Sequence, residues 1–357
     1  MNLLQSVQDG YRGLKTGLSF YSKKLNQALG GIHPFFYVLA GESKSGKTSF
    51  LDLQWILGPY FAGEIDQCEI HYWSTEITRI EKEAKFVSAI LFITKGIRMN
   101  AEKILGRTKN PQGARIKLTK DEYLMIADIY TKHIIKLFGV FDPVSGKQTT
   151  PGIIHFYESR QTPEQINSRL WKIAKQNGEI IFEDIQTIVD GKPVTEKVLS
   201  RYIPIDPNKR VIVLIDHIRG LKKAQGVARK ASIDLMSEMI VDLRRFFNFT
   251  IAVVVHIGRD ISTIDRIKHN REQMHPSEDD IKDSGNLAED ANFIITMMNP
   301  NDGKYQITKH FGCEVSLYQG KLNSVHIVRA RNAEAPQHLL QLFEGQVAVF
   351  EDLVNIY

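Results

Sequence analysis

Cysteine is nearly absent: 357 residues hold only Cys68 and Cys313. Two thiols cannot make a disulfide framework, and a reducing compartment, the cytoplasm, is the expectation. The opening MNLLQSVQDGYRG has no basic start leading into a long apolar core, so no signal peptide is expected. A run of about 18 apolar residues is also missing, which excludes a membrane-spanning helix and a membrane partner. Tandem repeats and low-complexity tracts are lacking, which argues against a solenoid or a disordered chain. Neither sign of charge dominates: the net is +5, a mild hint of a polyanionic partner whose meaning depends on where the charge clusters. With 43% hydrophobic and 24% charged residues, the chain can build one large α/β domain with insertions, or two domains.

The most informative stretch runs from Phe35 to Ile56. An apolar run of strand type, FFYVLA, leads into GESKSGKTS, and then into a segment with Phe50, Leu53, Trp55 and Ile56 at helix-like spacing. The spacing Gly41-x-x-x-x-Gly46-Lys47-Thr48 is the phosphate-binding loop pattern. Its glycines let backbone N–H groups approach phosphate oxygens, and the helix that follows points its positive end at the same anion. The expected cradle is Gly41, Glu42, Ser43, Lys44, Ser45, Gly46, Lys47, Thr48 and Ser49, with Lys47 reaching the β/γ-phosphates and Thr48 ligating Mg²⁺. The pattern predicts a nucleotide-binding protein.

Further strands alternate with helices, which predicts a mostly parallel sheet covered on both faces. Glu69–Thr75 is expected as the second strand, followed by Glu76. A carboxylate there can deprotonate an attacking water, or it can simply open the helix expected over Ile77–Leu91; spacing leaves both open. Residues 78–136 read as mostly helical, with a capping box at Thr119-Lys-Asp-Glu122, and Thr162-Pro163 opens a helix through Ala174. Turn signals predict hairpins at about 138–152 and 179–209, around a core strand at Ile153–Tyr157. Arg210–Asp216 is an apolar strand ending in an aspartate, placed to hold Mg²⁺. His217 follows it, not an acid, so a catalytic carboxylate must come from elsewhere.

Arg219–Lys230 carries Arg219, Lys222, Lys223, Arg229 and Lys230 and no acid. It is either a solvated loop or a grip on a phosphate backbone. A helix Ile233–Phe247 and a buried strand Ile251–Val255 ending at His256 follow. Arg259–His275 is a second basic stretch, with Arg266, Lys268 and Arg271. Phe293–Met297 reads as a strand and 298–323 as a surface excursion. Ser324–Arg329 and Leu339–Phe343 read as an antiparallel pair, with Val347–Phe350 close behind.

This order of motifs resembles the ATPase domain of the DnaB-like replicative helicases, hexameric rings with a RecA-like P-loop NTPase core. The likeness rests on Gly17-Leu-Ser-Phe20, Ala28–Gly31, Ser74-Thr-Glu76-Ile-Thr-Arg79, Val213–Asp216, Asp283–Asn292 and Arg329-Ala-Arg331-Asn332. It spans about Gly17 to Phe350, and it divides the chain into a linker helix at 1–16 and the ATPase domain at 17–357.

The resemblance implies ATP and Mg²⁺ as ligands, single-stranded DNA as partner, a homo-oligomeric ring, and work in phage- or plasmid-type DNA replication. It makes Glu76 the catalytic base and Arg331, with Arg329 beside it, the finger reaching a neighbour's γ-phosphate. His256 stands where the family has a γ-phosphate-sensing glutamine, and both basic stretches correspond to loops lining the central channel. No counterpart of the family's primase-recruiting domain is read here, so contacts with other replication proteins are expected to differ. Two other functions remain in view: a recombinase or loader that coats DNA as a filament, and a scaffold that binds nucleotide without turnover.

Overall fold

Segments rich in β-branched residues pair into one nine-stranded sheet in the computed structural model, which describes residues 4, 7–8, 17–142, 144–189, 192–223, 226–258, 261, 271–281 and 285–353. The strands are β1 (Phe36–Gly41), β2 (Cys68–Ser74), β3 (Ile154–Tyr157), β4 (Arg210–Asp216), β5 (Thr250–His256), β6 (Phe293–Met298), β7 (Leu322–Ala330), β8 (Gln337–Glu344) and β9 (Val349–Asp352). Their spatial order is β9-β8-β7-β6-β1-β5-β4-β2-β3. The six strands from β6 to β3 in that order run parallel, and β7, β8 and β9 continue the sheet antiparallel. The α/β class expected from the alternation is the one found.

Side chains of successive strand residues leave opposite faces, so a central parallel strand must be apolar on both. Along β1, Tyr37 and Leu39 enter one core while Phe36, Val38 and Ala40 enter the other. The helices in chain order are α1 (Lys23–Leu29), α2 (Lys47–Asp52), α3 (Arg79–Lys95), α4 (Lys120–Ile129), α5 (Pro163–Asn177), α6 (Arg229–Phe247) and α7 (Gly285–Asp290). Phe86, Val87 and Ile90 of α3 cover the first face. Ile166 and Leu170 of α5 and Met236, Ile240 and Leu243 of α6 cover the second. Capping boxes at Thr119/Glu122 and Thr162/Gln165 start α4 and α5 where the spacing placed them. Residues 139–151 and 178–204 form antiparallel hairpins.

Three sequence expectations change. Residues 105–119 are turns and extended chain, because Gly106, Pro111 and Gly113 break the helical pattern read through them. The 298–323 excursion is anchored: Tyr305, Ile307 and Val315 are buried in the second core. Isolated apolar residues without a period leave no signal of this kind. Helix α6 begins at Arg229, four residues before the first apolar position. Of the expected N-terminal helix at 2–14, only Leu4, Val7 and Gln8 lie within the described residues. Among those residues no helix is long and apolar enough to cross a membrane.

Candidate nucleotide site

Gly41, Ser74, Asp216 and His256 are the last residues of β1, β2, β4 and β5. The carboxyl ends of parallel strands open onto the crevice where α/β sheets bind ligands. A cavity of about 300 Å³ lies there, lined by Ser43, Lys44, Gly46, Lys47, Thr48, Ser49, Glu76, Asp216, His217 and His256 among others. Six members of the expected cradle thus share a cavity with Glu76, Asp216 and His256, residues far apart in the chain.

The loop's shape depends on its glycines. Gly46 caps α2 with φ +88°, and a Cβ on it would stand 2.7 Å from Phe350 Cζ. A Cβ on Gly41 would meet Ser45 Oγ at 2.8 Å and the Met297 carbonyl at 2.9 Å. Only glycine satisfies both demands. Gly41, Glu42 and Ser45 shape the loop and are not among the lining residues. The Ser45 hydroxyl donates to the Glu42 carbonyl at 2.9 Å. The Glu42 carboxylate turns away to accept from Tyr305 and from Lys304 at 2.6 Å.

Lys47 Nζ donates to the carbonyls of Gly41 at 2.9 Å and Glu42 at 2.5 Å. Burial pushes its pKa down to about 8, against the upward pull of Asp216, Glu76 and Glu42. A polyphosphate in the cavity would supply the missing counter-charge. Thr48 Oγ1 donates to Asp216 Oδ1 at 3.1 Å, so hydroxyl and carboxylate are already paired in the arrangement that a hard divalent cation bridges. That oxygen donor set fits Mg²⁺.

Glu76 stands two residues ahead of Thr78, which caps α3 in a box with Glu81. It therefore lies outside the helix, and the helix-opening role left open by spacing does not apply. Its side chain is exposed at the cavity.

Two features escaped the sequence reading. His217 is buried, and its Nδ1 accepts from the Arg219 backbone N–H at 3.1 Å, so the ring proton sits on Nε2. That Nε2 has no hydrogen-bond partner among the described residues, although the ring lines the cavity 3.9 Å, centroid to centroid, from His256. Burial, with His256, Lys47 and Arg219 adding to it, pushes the His217 pKa down to about 3, so the imidazole is a neutral donor at neutral pH. The second feature is a buried polar chain. Tyr72 OH donates to Asp216 Oδ2 at 3.1 Å and accepts from Lys82 Nζ at 2.7 Å, and Lys82 binds both oxygens of Asp52 at 2.8 and 3.0 Å. Breaking a buried pair strands its partner's charge. Asp52→Ala is therefore expected to cost about 3–5 kcal/mol in urea unfolding. A loss below about 1 kcal/mol, the range of solvated pairs, would show that water reaches Lys82.

Arg329 and Arg331 lie outside this cavity. Arg329 donates to the Ala288 carbonyl and pairs with Glu278, and Arg331 donates to the Glu289 carbonyl at 2.5 Å. Arg331 is exposed. Of the basic stretches, Arg219, Lys222, Lys223 and Lys230 are exposed. Arg229 is tied back, its guanidinium donating to the carbonyls of Arg219 at 2.8 Å and Leu221 at 2.5 Å. Lys222 lines a separate cleft of about 790 Å³ with Arg160, Arg169 and Lys172, cations the sequence reading did not single out. Arg271 is exposed, while Arg266 and Lys268 lie outside the described residues.

The sheet order, the phosphate loop after the central strand and the aspartate two strands away define a RecA-like P-loop core. Neither a protein-family model nor a curated protein sequence matches the chain. Solved structures do. One is described as "The Structure Of A DnaB-Like Replicative Helicase And Its Interactions With Primase"; it is 16% identical, with a TM-score of 0.63, over 99% of this chain and 69% of that one. Another, described as an isolated ATPase domain, is 15% identical with a TM-score of 0.64, over 98% and 97% of the two chains. The chain has the fold of these ATPase domains, as the sequence resemblance implied.

Proposed function

We propose that this protein is an ATP-driven translocase of the replicative-helicase type, acting on single-stranded DNA as a homo-oligomeric ring. The observation that carries the reading is the single cavity joining Lys47, Thr48 and Asp216 to Glu76, with Arg329 and Arg331 left outside it. The phosphate-loop amides and Lys47 hold the triphosphate, and Thr48 and Asp216 hold Mg²⁺, whose charge offsets that of the phosphates. Glu76 takes the proton of the attacking water. His217 and His256 offer hydrogen bonds to oxygens of the terminal phosphate. Arg331, with Arg329, serves the neighbouring protomer's site. Lys222, Lys223 and Lys230 grip the DNA backbone, with Arg219, Arg266, Lys268 and Arg271 contributing to the same surface.

ATP turnover with and without single-stranded DNA, run beside a measurement of assembly size, tests this reading. DNA-stimulated hydrolysis by a closed ring supports it. Helical filaments on DNA would point to a recombinase or loader, and absence of turnover to a scaffold. In the same assay, Lys222→Ala/Lys223→Ala/Lys230→Ala should weaken binding and flatten the log–log salt slope by about 2, at about 0.7 per lost single-strand phosphate contact. An unchanged slope would make that loop a merely solvated one.

A further inference from the structure

His326 on β7 and His338 on β8 are direct cross-strand partners. His275, from the segment that follows β5, closes on the same pair. Its ring centroid lies 4.9 Å from that of His326 and 4.7 Å from that of His338, and those two are 5.0 Å apart. Each imidazole offers one nitrogen, and the three nitrogens all lie within 4.8 Å of one another.

The hydrogen bonds around the trio orient it for ligation. His275 Nδ1 is 2.9 Å from the Gln273 carbonyl, which can only accept, so Nδ1 carries the proton and Nε2 keeps its lone pair. His326 Nε2 is 2.8 Å from Ser324 Oγ, while its Nδ1 is 2.8 Å from His338 Nδ1. Two ring nitrogens at that distance share a proton that a cation can replace. An imidazole that passes its other N–H to a carbonyl or hydroxyl is the usual form of a metal ligand. His326 is fully buried, and Phe311 stacks on His338 at 4.5 Å, giving the group an apolar wall.

A second group, Glu69, His71 and His155, has comparable spacing. There the Glu69 carboxylate already accepts from Lys209 at 2.7 Å, Asn177 at 2.9 Å and His71 at 2.9 Å, so it is an ion-pair network with its acceptors used. The three-histidine group contains no carboxylate and no lysine.

We propose that His275, His326 and His338 bind a divalent transition metal, zinc in the first place, as a structural ion. An all-imidazole donor set selects zinc, copper or nickel over Mg²⁺ and Ca²⁺, which prefer oxygen. The ion pins residues 271–281 to β7 and β8. That segment also supplies Glu278, the partner of Arg329 three residues beyond His326, so the metal fixes the arm carrying the two arginines to the sheet. The site stands apart from the nucleotide cavity, and its test does not depend on ATP turnover.

The full-length protein, with any affinity tag removed, is stripped with chelator and titrated with Zn²⁺ and Co²⁺. Elemental analysis should find stoichiometric zinc, Co²⁺ should develop visible d–d bands of a low-coordinate nitrogen site, and Zn²⁺ should raise the melting temperature. His275→Gln and His338→Gln, both at half-buried positions, should melt near the stripped wild type yet bind Zn²⁺ at least about 100-fold more weakly, beyond the usual cost of losing an outer-shell partner. Zinc bound equally by wild type and both variants, or absence of the Co²⁺ bands in folded wild type, would overturn the assignment.

Discussion

Glu76→Gln is expected to bind ATP nearly as well as the wild type and to hydrolyse it about 10²–10⁴-fold more slowly, the range for losing a positioned general base. The amide has the carboxylate's size but cannot take a proton. Binding survives because the phosphates are held by the loop amides, Lys47 and Thr48, on the other wall of the cavity. A smaller effect accompanies the large one. Glu76 is one of three carboxylates that pull the Lys47 pKa up against burial, so neutralising it lets that pKa fall further below its present value of about 8. The protonated ammonium is the form that binds phosphate, and it is present below that pKa. Loss of ATP affinity with rising pH should therefore begin at lower pH in the variant. Equilibrium binding of a fluorescent ATP analogue across the pH range, beside single-turnover hydrolysis, measures both effects. Wild-type turnover in Glu76→Gln would remove the residue from the chemistry.

How much of this site can be read from a sequence depends on how local its causes are. The phosphate loop is legible because each residue type does its work within nine positions of chain, and Asp216 because an apolar strand delivers it. Glu76 is half-legible: its two roles differ only in where α3 starts. The Thr78/Glu81 capping box settles that, and the sequence contains it as Thr-x-x-Glu, two residues beyond Glu76. The rest is tertiary. Tyr72, Lys82 and Asp52 sit on different elements, and each is unremarked in its own pattern until the fold stacks them behind Asp216. Lys304 and Tyr305 reach Glu42 across about 260 residues of chain, from a segment without periodicity. His217 entered the sequence reading only as the absence of an acid; its role as a donor depends on a ring orientation set by the Arg219 amide. Such contacts follow from packing, which a hydrophobic period constrains only in outline.

Arg331→Ala is expected to leave ATP binding intact and to reduce DNA-stimulated hydrolysis by about 10³–10⁵-fold, the worth of an arginine that spreads the charge of a leaving phosphoryl group. Arg331 lies just past the end of β7, exposed, resting on the Glu289 carbonyl, and is absent from the lining of its own chain's cavity. Those are the properties of a group that acts on a second copy. Mixing two inactive variants separates that role from a role within one chain. In a mixed ring of Arg331→Ala and Lys47→Ala protomers, some interfaces join an intact phosphate loop on an Arg331→Ala protomer to an intact Arg331 on a Lys47→Ala protomer. An arginine acting across the interface restores hydrolysis at those junctions, with a dependence on mixing ratio that peaks where unlike neighbours are commonest. An arginine acting within its own chain restores none, because every protomer then carries one defect in its own site. Loss of ATP binding by Arg331→Ala alone would likewise assign the arginine to its own chain's site, since a group supplied by a neighbour is not needed to hold the nucleotide in a lone protomer.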